Sequence, residues 1–317
     1  MTGASPVTPI DDFQCKSHNP FLFEIFFCPP RVACIREQFS TGRKKNFSES
    51  PDENPRTENR GNPTVFAAEP APTQFDLNFR IAGFPVRVHP LFWLIALLLG
   101  ARDGDPMTLL IWAGTVFISI LAHELGHAFA MRHYGQDCRI VLYMMGGLAI
   151  PESARWSGGQ GRCSRGPLAQ ILISAAGPGA GFLLAGLVAV MVFAAGGAVH
   201  LFLAYGFLPI PIVFLPEVAN EYWSEFASSL LWVNIFWGLM NLLPVLPLDG
   251  GQIAREMLTA SDPWQGVVKS LWLSVVVGAA IAVIGFGVLQ DRFVGILFAM
   301  LAFSNYMAIQ NLRGRSW

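Results

Sequence analysis

His123-Glu124-Leu125-Gly126-His127 sets two histidines four residues apart around a glutamate, inside an apolar stretch running from about 107 to 131. Residues four apart share one face of an α-helix, so the two imidazoles can converge on a single Zn²⁺, with Glu124 beside them as the base that activates water. Copies of this short pattern also arise by chance on solvated helix faces. The apolar surroundings argue against chance here. An ionisable side chain at the centre of a membrane-spanning helix costs roughly 2.5 to 3.5 kcal/mol, so two histidines and a glutamate placed there need a metal, water or polar partners.

The second segment with chemical content is Asn241-Leu-Leu-Pro-Val-Leu-Pro-Leu-Asp249-Gly-Gly251. Its two prolines remove backbone donors and break a helix, and Gly250 and Gly251 free the chain to turn where a carboxylate is presented. Read alone, it fits an ordinary helix terminus with a solvated aspartate equally well. Two histidines leave a catalytic zinc short of a third protein ligand, however, and a carboxylate commonly completes the set. Asp249 is the best-placed candidate.

These residues must be positioned by elements of a membrane protein. Of 317 residues 53% are hydrophobic and only 14% charged, whereas a soluble domain carries about a quarter charged residues. The net charge of −1 offers no general basic patch, which excludes nucleic acid as an expected partner. Five cysteines, Cys15, Cys28, Cys34, Cys138 and Cys163, lack CxxC spacing; they read as free thiols rather than a disulfide framework or a second zinc site. Residues 1–75, rich in Pro, Ser, Asn and charge, read as a disordered tail, or as an overextended start of the reading frame. Residues 78–89 alternate apolar and polar as a short strand or hairpin does.

The chain is therefore expected to be an all-α polytopic membrane protein with a membrane domain over 76–311 and a short tail over 312–317. About six spans are predicted, near 90–101, 107–131, 168–195, 227–247, 267–288 and 292–310. The apolar stretch 199–215, broken by Pro209 and Pro211, reads as a re-entrant or interfacial loop. Arginines gather at 80 and 87, in the segment 132–165, and at 313 and 315, which predicts a cytoplasmic location for both termini. That orientation puts His123, His127 and Asp249 toward the cytoplasmic side of the cell (inner) membrane.

The two motifs, in this order and at this depth, resemble those of the site-2 protease family of intramembrane zinc metalloproteases, over nearly everything from Phe75 to Asn311, and look most like its compact bacterial and archaeal six-span members. The resemblance implies one Zn²⁺ per chain held by His123, His127 and Asp249, with Glu124 as acid/base and Asn241 helping to position substrate or the oxyanion. It also implies a small β-hairpin or strand region after the HExxH helix. Gly146 and Gly147 would belong to it, where an unwound substrate segment pairs by strand addition. Transmembrane proteins and the bilayer are the implied partners, with no oligomeric state implied. Two departures stand out: Ala176-Gly-Pro-Gly-Ala-Gly181 ends in Gly where the family often has Asn, and Gln252 replaces a common Arg. Gly177 and Gly181 form a GxxxG pattern that reads as a helix-packing face. No nucleotide-sensing module is expected after the last span.

Other polar and aromatic residues carry blander readings. His89 and His133 read as interfacial anchors, Asn234 as packing polarity or a cavity lining, and Trp223, Trp232, Trp237, Trp264 and Trp272 as core or interface aromatics. Two other functions compete. A proteolytically inactive scaffold retaining a zinc site is opposed by Glu124, since a structural site closes with four ligands and needs no base. A metal transporter is opposed by the lack of further intramembrane acids or histidines for a relay.

Overall fold

In the computed structural model, the residues described are 71–100, 105–144, 146–151, 166–204, 208–214 and 221–313. The first seventy residues of the predicted tail, the arginines at 155, 162 and 165, and four of the five cysteines lie outside them; Cys138 is described and buried.

The chain opens with a hairpin, β1 (Leu77–Ile81) and β2 (Phe84–Val88), turned through Ala82 and Gly83, which take φ of 51° and 84°. Alternation in β2 buries Phe84, Val86 and Val88 on one face. After α1 (Pro90–Gly100) and α2 (Pro106–His133), the strand β3 (Cys138–Tyr143) pairs parallel to β2, and β4 (Gly146–Pro151) returns antiparallel to β3. The result is one mixed sheet in the order β1-β2-β3-β4. The expected strands on either side of the HExxH helix are thus joined. Arg132, at the end of α2, pins the sheet to that helix: it donates to the Ala82 carbonyl at 2.8 Å and lies 3.4 Å over the Phe84 ring.

Helices follow: α3 (Pro167–Ala194), α4 (Glu221–Asn241), α5 (Asp249–Ser261), α6 (Gly266–Gly287) and α7 (Arg292–Arg313). Among the described residues, four helices, α2, α3, α6 and α7, are long and apolar enough to cross a membrane. The expectation of six spans is modified at two places. α1 has 11 residues, about 16 Å of helix against the ~30 Å of a hydrocarbon core, so it cannot cross alone. α4 runs 221–241 rather than 227–247, because Pro244 and Pro247 cannot supply donors to continue it, and it carries Glu225, three serines, Asn234 and Asn241.

The apolar stretch near 199–215, expected as a re-entrant or interfacial loop, has regular structure. It contains an antiparallel hairpin, β5 (Ala198–Ala204) with β6 (Leu208–Phe214), in which Val199 stands opposite Val213 and Leu201 opposite Pro211. The Val213 N–H leaves the ladder to reach Ser228 Oγ on α4, 3.0 Å away. Pro209 and Pro211 share the parity of Val213, so their missing N–H groups fall on that outer edge and cost the hairpin no ladder bond. With the six strands included, the fold is predominantly helical rather than all-α.

Candidate metal centre

Helical spacing does what the sequence pattern requires: His123 and His127 lie one turn apart on α2, both buried, with ring centroids 4.8 Å apart. Asp249 comes from the first turn of α5, after the chain has left α4 and passed through the proline-broken loop 242–248. His123 Nε2 is 3.1 Å and His127 Nε2 3.3 Å from Asp249 Oδ2, and the two Nε2 atoms are 3.2 Å apart. Among the described residues these three form a group able to hold a metal ion.

The donor chemistry fits zinc. Ligands 2.0 to 2.1 Å from a tetrahedral ion stand about 3.3 to 3.4 Å from one another, close to the separations observed. The His127 Nδ1–H donates to the Ile173 carbonyl at 2.8 Å, which leaves Nε2 of the neutral ring as a lone pair aimed at the other two ligand atoms. With the His127 lone pair, the His123 ring nitrogen and the Asp249 carboxylate converging in a buried place, a cation between them would be held by all three.

Close packing holds the group in place. α3 crosses α2 so tightly that a Cβ on Gly126 would stand 2.7 Å from Ala180 Cβ, and one on Gly177 would come 2.5 Å from His127 Cε1 and 2.8 Å from His123 Nε2. Gly177 is therefore more than the packing face read from GxxxG: it is the floor beneath both imidazoles. Gly181, the other half of the pattern, does face a helix, with Asn234 atoms 3.5 Å from where its Cβ would be. The sequence contained a signal for this division, because Gly177 lies in the Ala-Gly-Pro segment. Ile173 contributes a backbone atom and carried no such signal.

Glu124, 1% exposed, points from the neighbouring face of α2 toward β4. A Cβ on Gly147 would come 2.6 Å from its Cδ and 2.8 Å from its Oε1, so the strand can approach the carboxylate only because residue 147 is glycine. Gly146 is buried beside it, paired with Tyr143. Asn241 ends α4, fully buried; its Nδ2 donates to Trp237 O at 3.0 Å, while its Oδ1 has no hydrogen-bond partner among the described residues. Trp237, one turn earlier, stands edge-on to His123 at 6.5 Å.

The blander residues are also placed. Asn234 donates to Ser119 Oγ at 2.9 Å and ties α4 to α2, as packing polarity should. His133 is exposed, whereas His89 is buried against Tyr143 and accepts the Leu91 N–H through Nδ1 at 3.2 Å, capping α1 rather than anchoring an interface.

The sequence profile of Peptidase family M50 matches residues 111–284, more than half of the chain. Zinc metalloprotease is the name of a similar protein from Methanocaldococcus jannaschii, 28% identical over 232 residues that make up 71% of this chain and 57% of the relative. A Mycobacterium tuberculosis protein, Rip3, named as a candidate zinc metalloprotease, is 31% identical over 194 residues, 56% of this chain and 42% of that one. The chain thus spans about half the length of these curated relatives. A solved structure of a site-2 protease from Methanocaldococcus jannaschii aligns with 75% of this chain and 94% of its own, at 22% identity and a TM-score of 0.42. The chain belongs to peptidase family M50, the site-2 protease family its two motifs resemble.

Proposed function

We propose that the chain is an intramembrane zinc metalloendopeptidase that hydrolyses peptide bonds within or next to transmembrane segments of membrane protein substrates. The observation that carries this reading is the convergence of His123, His127 and Asp249 beside a buried glutamate on the same helix. Zinc bound there, one ion per chain, would polarise a peptide carbonyl and lower the pKa of water to about 7. Glu124 takes the proton from the attacking water and returns it to the leaving amine. Asn241 offers its amide to the substrate or the developing oxyanion, and Gly146 and Gly147 form a strand along which an unwound substrate segment can lie.

A substrate helix hides its carbonyls in its own hydrogen bonds, so spans weakened by Pro or Gly are the expected targets. The arginine distribution favours an inner-membrane protein with both termini in the cytoplasm and the site opening to that side. The test is Glu124→Gln in purified protein reconstituted with single-span fusion substrates whose spans contain Pro or Gly. Cleavage is expected to fall by about 10² to 10⁴-fold with zinc content unchanged. Equal cleavage by wild type and variant would overturn the reading.

A further inference from the structure

Asp249 is presented by a loop whose backbone hydrogen bonds can be followed residue by residue. In 242–248, Pro244 and Pro247 have no N–H. The Leu242 N–H reaches Gly238 O, Leu243 reaches Met240 O, Val245 reaches Leu243 O and Leu248 reaches Val245 O, all within the segment or the end of α4. Leu246 is the exception. Its N–H donates to Ser274 Oγ on α6 at 2.9 Å, and its carbonyl accepts from Asn305 Nδ2 on α7 at 2.6 Å.

Both partners are set up for this. Ser274 is 1% exposed and donates its own hydroxyl to Ser270 O at 2.9 Å, so its lone pair faces the loop. Asn305 is 6% exposed and shares its amide between Leu246 O and Leu301 O, the latter at 2.8 Å. The Leu246 side chain fills an apolar pocket with Leu271 and Ile309. The held peptide in turn supports α5: a Cβ on Gly251 would lie 2.5 Å from Leu246 N and from Val245 C, so the first turn of α5 rests on it. Asp249 begins that turn.

We infer that Ser274 and Asn305 are positioning residues for the metal: by clamping both the N–H and the carbonyl of Leu246 they fix the carboxylate of Asp249 opposite the two histidines. Asn305 lies beyond the stretch that matches the family profile, so this end of the chain contributes to the site without holding a ligand. The inference rests on the proposed zinc site.

The test uses full-length protein in detergent and measures zinc affinity by competition with a chromophoric chelator, together with the d–d absorption of the Co²⁺ form, for wild type, Ser274→Ala, Ser274→Thr and Asn305→Leu. Removing a residue that orients a ligand typically lowers metal affinity about 10 to 100-fold. Ser274→Ala and Asn305→Leu are expected to show that loss and an altered Co²⁺ band, and Ser274→Thr, which keeps the hydroxyl, to restore both. Should Asn305→Leu fail to fold, the Ser274 pair decides alone. Wild-type affinity and an unchanged band in the alanine variant would overturn the inference while leaving the zinc site standing. A wild-type protein that binds no zinc would overturn the site, and this inference with it.

Discussion

The two halves of the metal centre are built by different means. His123 and His127 are placed relative to each other by one helical turn, a local geometry that any sequence able to form α2 would reproduce. Asp249 lies 122 to 126 residues away in the chain, on a short helix whose N-cap, Leu248, has no capping side chain, and it meets the histidines through tertiary contacts that include the hold of α6 and α7 on the loop before it. Local periodicity makes one half robust and readable. The other half depends on tertiary contacts and is both more fragile and harder to foresee.

The comparison can be broken most directly by deleting a ligand from either side. Apparent zinc binding energies of roughly 10 to 16 kcal/mol for a full ligand set imply that one ligand contributes about a hundredfold or more in affinity. His127→Ala and Asp249→Ala are both expected to lose that much in chelator competition. A variant of Asp249 that binds zinc as wild type does would show that the half built from the loop is not part of the site.

A sharper probe separates packing from ligation on α3. Gly177→Ala would push a methyl group into His127 and His123, and overpacking of this kind costs about 1 to 3 kcal/mol in stability together with the metal. Gly179→Ala, two residues along the same helix, meets nothing within 4 Å and should hold zinc as wild type does, with stability unchanged or raised by up to about 1 kcal/mol. Equal zinc binding by both variants would remove Gly177 from the site.

The smallest effect is expected at the far end of α2. Asp105 caps that helix, and the backbone N–H of Thr108, followed by its hydroxyl and the N–H of Met107, holds the carboxyl below the usual carboxylate range. A depressed carboxylate contributes stability above its unfolded pKa of about 3.9 and loses that contribution as pH falls through the folded value. The difference in melting temperature between wild type and Asp105→Ala should therefore be small and constant above about pH 5 and shrink in more acidic buffer, with zinc affinity at neutral pH untouched.

Much of this was legible in the residues themselves. The HExxH spacing, the candidacy of Asp249 and the apolar helices all follow from period, composition and turn chemistry. The parallel joining of β2 to β3 was not, because each strand carries only its own alternation and no record of its neighbour. The shortness of α1 and the strand pairing of β5 with β6 are hard to read for related reasons: hydropathy reports that a segment avoids water, but not whether it crosses, packs or folds back. Gly177 reads as packing in the sequence, since a glycine shows where something comes close without showing what. Ser274 and Asn305 leave the faintest trace, as polar residues in largely apolar helices whose partners are backbone atoms nearly thirty and sixty positions away.

The clamp on Leu246 also bears on what counts as the minimal working unit. A fragment ending at Leu289 would include every residue named by the two motifs and nearly the whole α-helical neighbourhood of the histidines, yet it would lack the amide that steadies the Leu246 carbonyl. Such a piece would pass any inventory of signature residues while presenting its aspartate on a loop held by Ser274 alone. For this protein, possession of the motifs and possession of the site are separable properties, and the last helix is where they part.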